Sequence, residues 1–154
     1  MQITLLFATL LGGISVVSAG GRINKPVAGT TITSKAVVPF KFKTGTINGG
    51  CHQIHTPVTI YLSTSAPTAL NADGGLDPGS FIESYGPFFE PEMGIRPLPG
   101  FPVPPSELTM PDISAYSPGT ALFLTAVETT APGACAPGVN PARYDFASIN
   151  LIVA

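Results

Sequence analysis

The sequence predicts an all-β protein, an antiparallel β-sandwich of about seven short strands. Three observations carry that prediction. Apolar and polar residues alternate at period two along separate stretches of the chain, the mark of a half-buried strand. Glycine and proline, 17 of each, break the chain every ten residues or so. No stretch of useful length carries the apolar repeat of an amphipathic helix.

The opening "MQITLLFATLLGGISVVSAG" is apolar from Ile3 to Val17 apart from small residues. It closes on Val17-Ser18-Ala19, a small-x-small cleavage pattern. Residues 1–19 are therefore expected to be a secretory signal peptide, cut after Ala19, with Gly20 as the next choice. The run is shorter than the ~20 residues that a membrane span needs. No membrane span is expected in the mature form. Residues 20–154 then make one domain of ordinary size. The apolar "INLIVA" is too short for a lipid-anchor signal.

The strands follow in order. "GRIN" and "TTIT" read as a first strand split around Pro26. "VPFKFKT" sends Phe40 and Phe42 one way, Lys41 and Lys43 the other. "PVTIYLSTS" sets Val58, Ile60 and Leu62 against Thr59, Tyr61 and Ser63. "SFIESYG" and "SELTMPDIS" are weaker candidates. "GTALFLTAVETT" gathers Leu122, Leu124 and Ala126 on one face, and "FASINLIVA" gathers Ala147, Ile149, Leu151 and Val153. The order resembles an immunoglobulin-like domain, with strand A near 22–33, B near 36–43, C near 57–64, C′ near 80–86, E near 106–113, F near 119–129 and G near 144–153.

Two connections stand out. "APTALNADGGLDPG" is a turn-rich linker whose "NADGG" favours positive φ. "GPFFEPEMGIRPLPGFPVPPS" is longer and dense in proline, which holds the backbone extended. Its apolar residues Phe88, Phe89, Met93, Ile95, Leu98 and Phe101 are the candidate partner-binding loop, because exposed apolar patches mark partner sites. The competing reading is that they cap the open edge of the sandwich.

Charge excludes some partners. Charged residues are 10% of the chain and the formal net charge is −2. No basic patch is available to release counterions, so neither nucleic acid nor an anionic membrane surface is expected.

Cys51, His52 and His55 raise the question of chemistry. Zinc needs about four N, S or O ligands at set spacing. His52 and His55 fall on opposite faces of a strand. The only other cysteine is Cys135, and there is no third histidine. A thiolate nucleophile is lost if Cys51 is oxidised, as export favours. No G-x-S-x-G elbow is present. Glu90 and Glu92 sit in the proline-rich loop and read as solvated charge. A copper oxygenase of the secreted β-sandwich kind needs a histidine as its first mature residue, where this chain has Gly20 or Gly21. No catalytic residue, metal or cofactor is expected. Cys51 lies in the B–C connection and Cys135 in the F–G connection, which meet at one end of such a sandwich. A disulfide between them is expected, worth roughly 4–5 kcal/mol in the chain-entropy model.

The motifs "GRINKPVAGTTITSKAVVPFKFKT", a later cysteine before a strand ending in "YLS", and "PGTALFLTAVET" together resemble small secreted fungal proteins of the necrosis-inducing secreted effector family. The N-terminal pattern is also similar to the N-terminal domain of yeast β-glucan assembly proteins. The first resemblance implies a single immunoglobulin-like domain, secretion, and a role in plant cell death or in interference with host immune receptor kinases. Two functions from different classes follow. One is a secreted, non-enzymatic interaction protein acting on a host or cell-surface protein. The alternative is an extracellular module binding wall polysaccharide. That needs flat exposed aromatics, and the chain has no tryptophan and scattered tyrosines at 61, 85, 116 and 144. Tyr61, outward on strand C, is the candidate start of such a platform.

Overall fold

The computed structural model describes residues 21–45, 55–91, 96–97, 99–130 and 143–154. Among these the chain is all β, with nine strands and no helix. They are β1 (Arg22–Lys25), β2 (Thr30–Ile32), β3 (Val37–Pro39), β4 (Lys41–Lys43), β5 (His55–Ser63), β6 (Phe81–Pro91), β7 (Glu107–Thr109), β8 (Ala121–Thr130) and β9 (Arg143–Val153). Every expected strand is present, and two are broken. The first divides at Pro26, as the sequence suggests. The second divides at Phe40 after Pro39, which has no N–H to give to a ladder.

A five-stranded sheet runs β2-β9-β8-β5-β6 and curls into a half-barrel. Two ribbons, β1-β4 and β3-β7, supply the opposing layer. They are joined through Phe40, whose N–H donates to the Ser106 carbonyl at 2.7 Å and so extends the β3-β7 ladder. The expectation of wholly antiparallel pairing fails at one place. β2 leaves the ribbon of β1 at the Pro26–Gly29 turn and lies parallel to β9, Thr30 opposite Leu151 and Ile32 opposite Val153.

The inward faces meet in one core. Val38, Phe40, Phe42, Leu108, Met110 and Ile113 pack against Val58, Ile60, Leu62, Leu122, Leu124, Ala126, Leu151 and Val153. Lys41 and Lys43 stay exposed, so the alternation read in "VPFKFKT" holds. At about 25 cal/mol for each Å² of apolar surface removed from water, each fully buried Ile or Leu contributes roughly 2–3 kcal/mol before entropy is charged against it.

The outer face of the sheet is covered as well. Thr125 and Val127 point away from the core yet are buried. On this side of the sheet lies the "NADGG" turn. Asn71 Oδ1 accepts the N–H groups of Asp73 at 3.0 Å and Gly75 at 2.9 Å, which curls the segment on itself. Gly75 lies beside the Tyr61 hydroxyl and Gly74 against the Tyr144 ring. The turn read as a linker is thus a flap from β5 to β9, passing over β8. Below it the Thr125 and Ser148 hydroxyls meet at 3.0 Å.

Candidate functional site

The proline-rich segment departs from its expected form. β6 does not stop at Gly86; it runs on to Pro91 as an edge strand of the five-stranded sheet. The register against β5 explains how proline is tolerated. Val58 faces Phe88 and Ile60 faces Tyr85, so β6 carries an extra residue between these pairs. That is a β-bulge at Gly86-Pro87, on an edge where no second ladder asks Pro87 for an N–H. Gly86 has φ of 101°, and a Cβ there would lie 2.9 Å from the Phe88 nitrogen and 3.0 Å from the Val58 carbonyl.

The bulge decides where the phenylalanines go. Residues 85 and 88 would point to opposite faces of a regular strand. The extra residue turns both inward, and Tyr85 and Phe88 pack against the core. The Tyr85 hydroxyl donates to the Thr109 carbonyl at 2.8 Å, tying β6 to β7. Burial first, then the nearby Glu83 carboxylate, push its phenol up to about 12. Phe88 is thus half-buried on the core side of β6.

Phe89 faces the other way and meets Phe101 edge to face, ring centroids 4.7 Å apart. The Phe89 N–H donates to the Pro102 carbonyl at 2.8 Å, so the segment around 99–105 runs along the free edge of β6. Phe101 keeps 47% of its surface exposed and Val103 42%. The segment covers a sheet edge and still presents apolar side chains to solvent. Met93, Ile95 and Leu98 lie outside the described residues, as do residues 1–19 with the expected signal peptide, His52, and Cys51 and Cys135 with the bridge expected between them. Tyr61 lies against Phe81, centroids 5.0 Å apart at 58°, and Gly75 sits at its hydroxyl. It is not the start of a flat aromatic shelf.

Sequence reasoning missed Glu128. Its backbone continues the inward series Leu122, Leu124, Ala126, and a carboxylate at the next inward position was the available signal. Glu128 is 2% exposed. Its Oε2 accepts the N–H of Gly21 at 2.8 Å, and the Gly45 N–H is shared between Oε2 at 3.1 Å and Oε1 at 3.2 Å. Burial raises its carboxyl above the ordinary range, the two N–H groups pull it back, and Asp145, opposite it on β9, raises it again. Glu90 on β6 is raised by burial and by Glu128.

Among the described residues no three His, Cys, Asp or Glu are grouped to hold a metal ion, and no helix is long and apolar enough to cross a membrane. A pocket of about 180 Å³ between Ser63, Thr68, Leu76, Asp77 and Ser80 has no aromatic wall and is smaller than the ~300–1,000 Å³ usual for small-molecule sites. Compared with protein-family models, curated proteins and solved structures, the chain matches none.

Proposed function

We propose that this chain is a secreted, non-enzymatic interaction protein on an immunoglobulin-like scaffold, and that it contacts a protein partner through the aromatic edge at β6. The observation that carries the reading is the Phe89–Phe101 pair, with Phe101 and Val103 exposed on a proline-rich segment already fixed to the sheet edge. A pre-extended segment loses little entropy on binding, and aromatic anchors dominate interface energetics. The scaffold reading is supported by strand order. One sheet runs β9-β8-β5-β6, the G-F-C-C′ order of an immunoglobulin-like domain, and the β1-β4 and β3-β7 ribbons follow its A-B-E order. Action on host cells, by inducing cell death or by blocking immune signalling, rests on the resemblance to fungal secreted effectors. The signal-peptide pattern of residues 1–19 supports export.

The test is infiltration of purified mature protein into leaf tissue, beside a Phe89→Ser/Phe101→Ser variant of unchanged fold. Cell death or immune suppression by the first and not by the second supports the reading. Equal activity removes this edge as the contact. Retention on insoluble β-glucan, chitin or cellulose would favour the wall-binding alternative.

A further inference from the structure

Glu128 poses a problem that the scaffold alone does not solve. A carboxylate buried this deeply is costly unless it is paired. Among the described residues, two neutral N–H donors, from Gly21 and Gly45, bond to it, and the carboxylates of Asp145 and Glu90 are close enough to act on it. One donor is unusual in its place in the chain. Gly21 lies just past the expected export cleavage site, where a backbone N–H can become an amine. The slot around it admits only glycine. A Cβ on Gly21 would run into the Phe42 ring and lie 2.7 Å from both Glu128 Oε2 and the Lys43 carbonyl.

We propose that the Glu128 carboxylate is a docking site for the chain's own processed N-terminus, the α-ammonium of Gly21. An export endopeptidase hydrolyses the Gly20–Gly21 bond with one water. The carboxylate departs on Gly20, and the amine left on Gly21 takes up a proton. The same nitrogen, 2.8 Å from Oε2, then carries a full positive charge and two further N–H donors. The neutral contact becomes a buried ion pair. The proposal thus takes the second of the two expected cleavage points. The inference rests on reading residues 1–19 as an export signal.

Two measurements test it separately from that reading. Mass spectrometry of the naturally secreted protein is expected to give a chain starting at Gly21. A start at Gly20 overturns the inference alone, whereas retention of Met1 overturns the export reading. Separately, chains prepared to begin at Gly21 are compared with chains carrying Ser-Ala-Gly ahead of it, each with and without Glu128→Gln. The substitution is expected to lower the midpoint of the Gly21-start chain by roughly 10 °C and that of the extended chain by much less. Equal losses overturn the pairing. Should the variant fail to fold, acylation of the unsubstituted chains at pH 7 decides. The Gly21 amine is expected to react at least ~10-fold more slowly than the extended N-terminus, because a paired ammonium holds its proton above the ordinary ~8. Equal rates overturn the proposal.

Discussion

Gly74→Ala should be far more damaging than Gly79→Ala, although the two positions look alike in backbone terms. Gly74 has φ of 79° and Gly79 of 89°, so alanine at either pays the left-handed penalty of about 1 kcal/mol. Around Gly79 a new Cβ meets nothing within 4 Å. At Gly74 it would strike the Tyr144 ring on three of its atoms. The ring, on β9, must swing aside or push the flap outward, an overpacking cost of roughly 1–3 kcal/mol. The expected losses are about 1 kcal/mol for Gly79→Ala and about 3 kcal/mol for Gly74→Ala. For a domain of this size that is roughly 4 °C against 10 °C in the thermal midpoint. Thermal unfolding followed by circular dichroism reads both. Adding Tyr144→Ala to Gly74→Ala should recover about 1 kcal/mol or more, a coupling that only neighbours show. Equal losses at the two glycines, with no coupling to Tyr144, would mean that the flap does not lie on the sheet. The outer face would then be open, and the wall-binding alternative would regain its aromatic platform.

Phe88→Ala should lower the midpoint sharply, by roughly 10 °C, since Phe88 packs on the core; Phe101→Ser should shift it by less than half of that, and the reverse order would undo the bulge assignment. Non-reducing peptide mapping of the secreted protein should show Cys51 and Cys135 in one linked pair, and two free thiols would reopen the metal and nucleophile readings. The third concerns pH. Burial raises the carboxyls of Glu90 and Glu128 above 4.5, so the folded chain binds these protons more tightly than the unfolded one. Stability from their neutral forms is present below the unfolded value and lost as pH rises through the folded ones. Asp112, drawn down to about 2 by its bonds from Ser114 and Ser34, acts in the opposite sense only below 3.8. In a chain extended beyond Gly21, the urea midpoint should therefore fall as pH rises above 4.5, and Glu128→Gln should flatten the fall; a midpoint that rises there contradicts it.

The strands were legible because alternation is a direct imprint of burial. "VPFKFKT", "PVTIYLS" and "GTALFLTA" each name their inward residues correctly, and every one of those is in the core. What the sequence hid is where turns land and how strands tolerate exceptions. Pro87 reads as a strand breaker, yet an edge bulge accommodates it, so Phe88 was expected in a loop and is found packed on the core. The "NADGG" motif announces a turn but carries no signal for the sheet that it folds onto. Glu128 was masked by its charge, since a carboxylate near a strand end is usually solvated, and only the inward series before it betrays its burial.

The parallel seam between β2 and β9 has a consequence for how the chain is made. Residues 30–32 find their partners only when residues 151–153 exist, and β9 is also the neighbour of β8. A nascent chain lacking residues 143–153 would leave β8 with an open edge and the core without Leu151 and Val153. Such non-local closure is slow, because loop entropy is spent before the contacts form. The core and the parallel seam are therefore completed together, by the one strand β9.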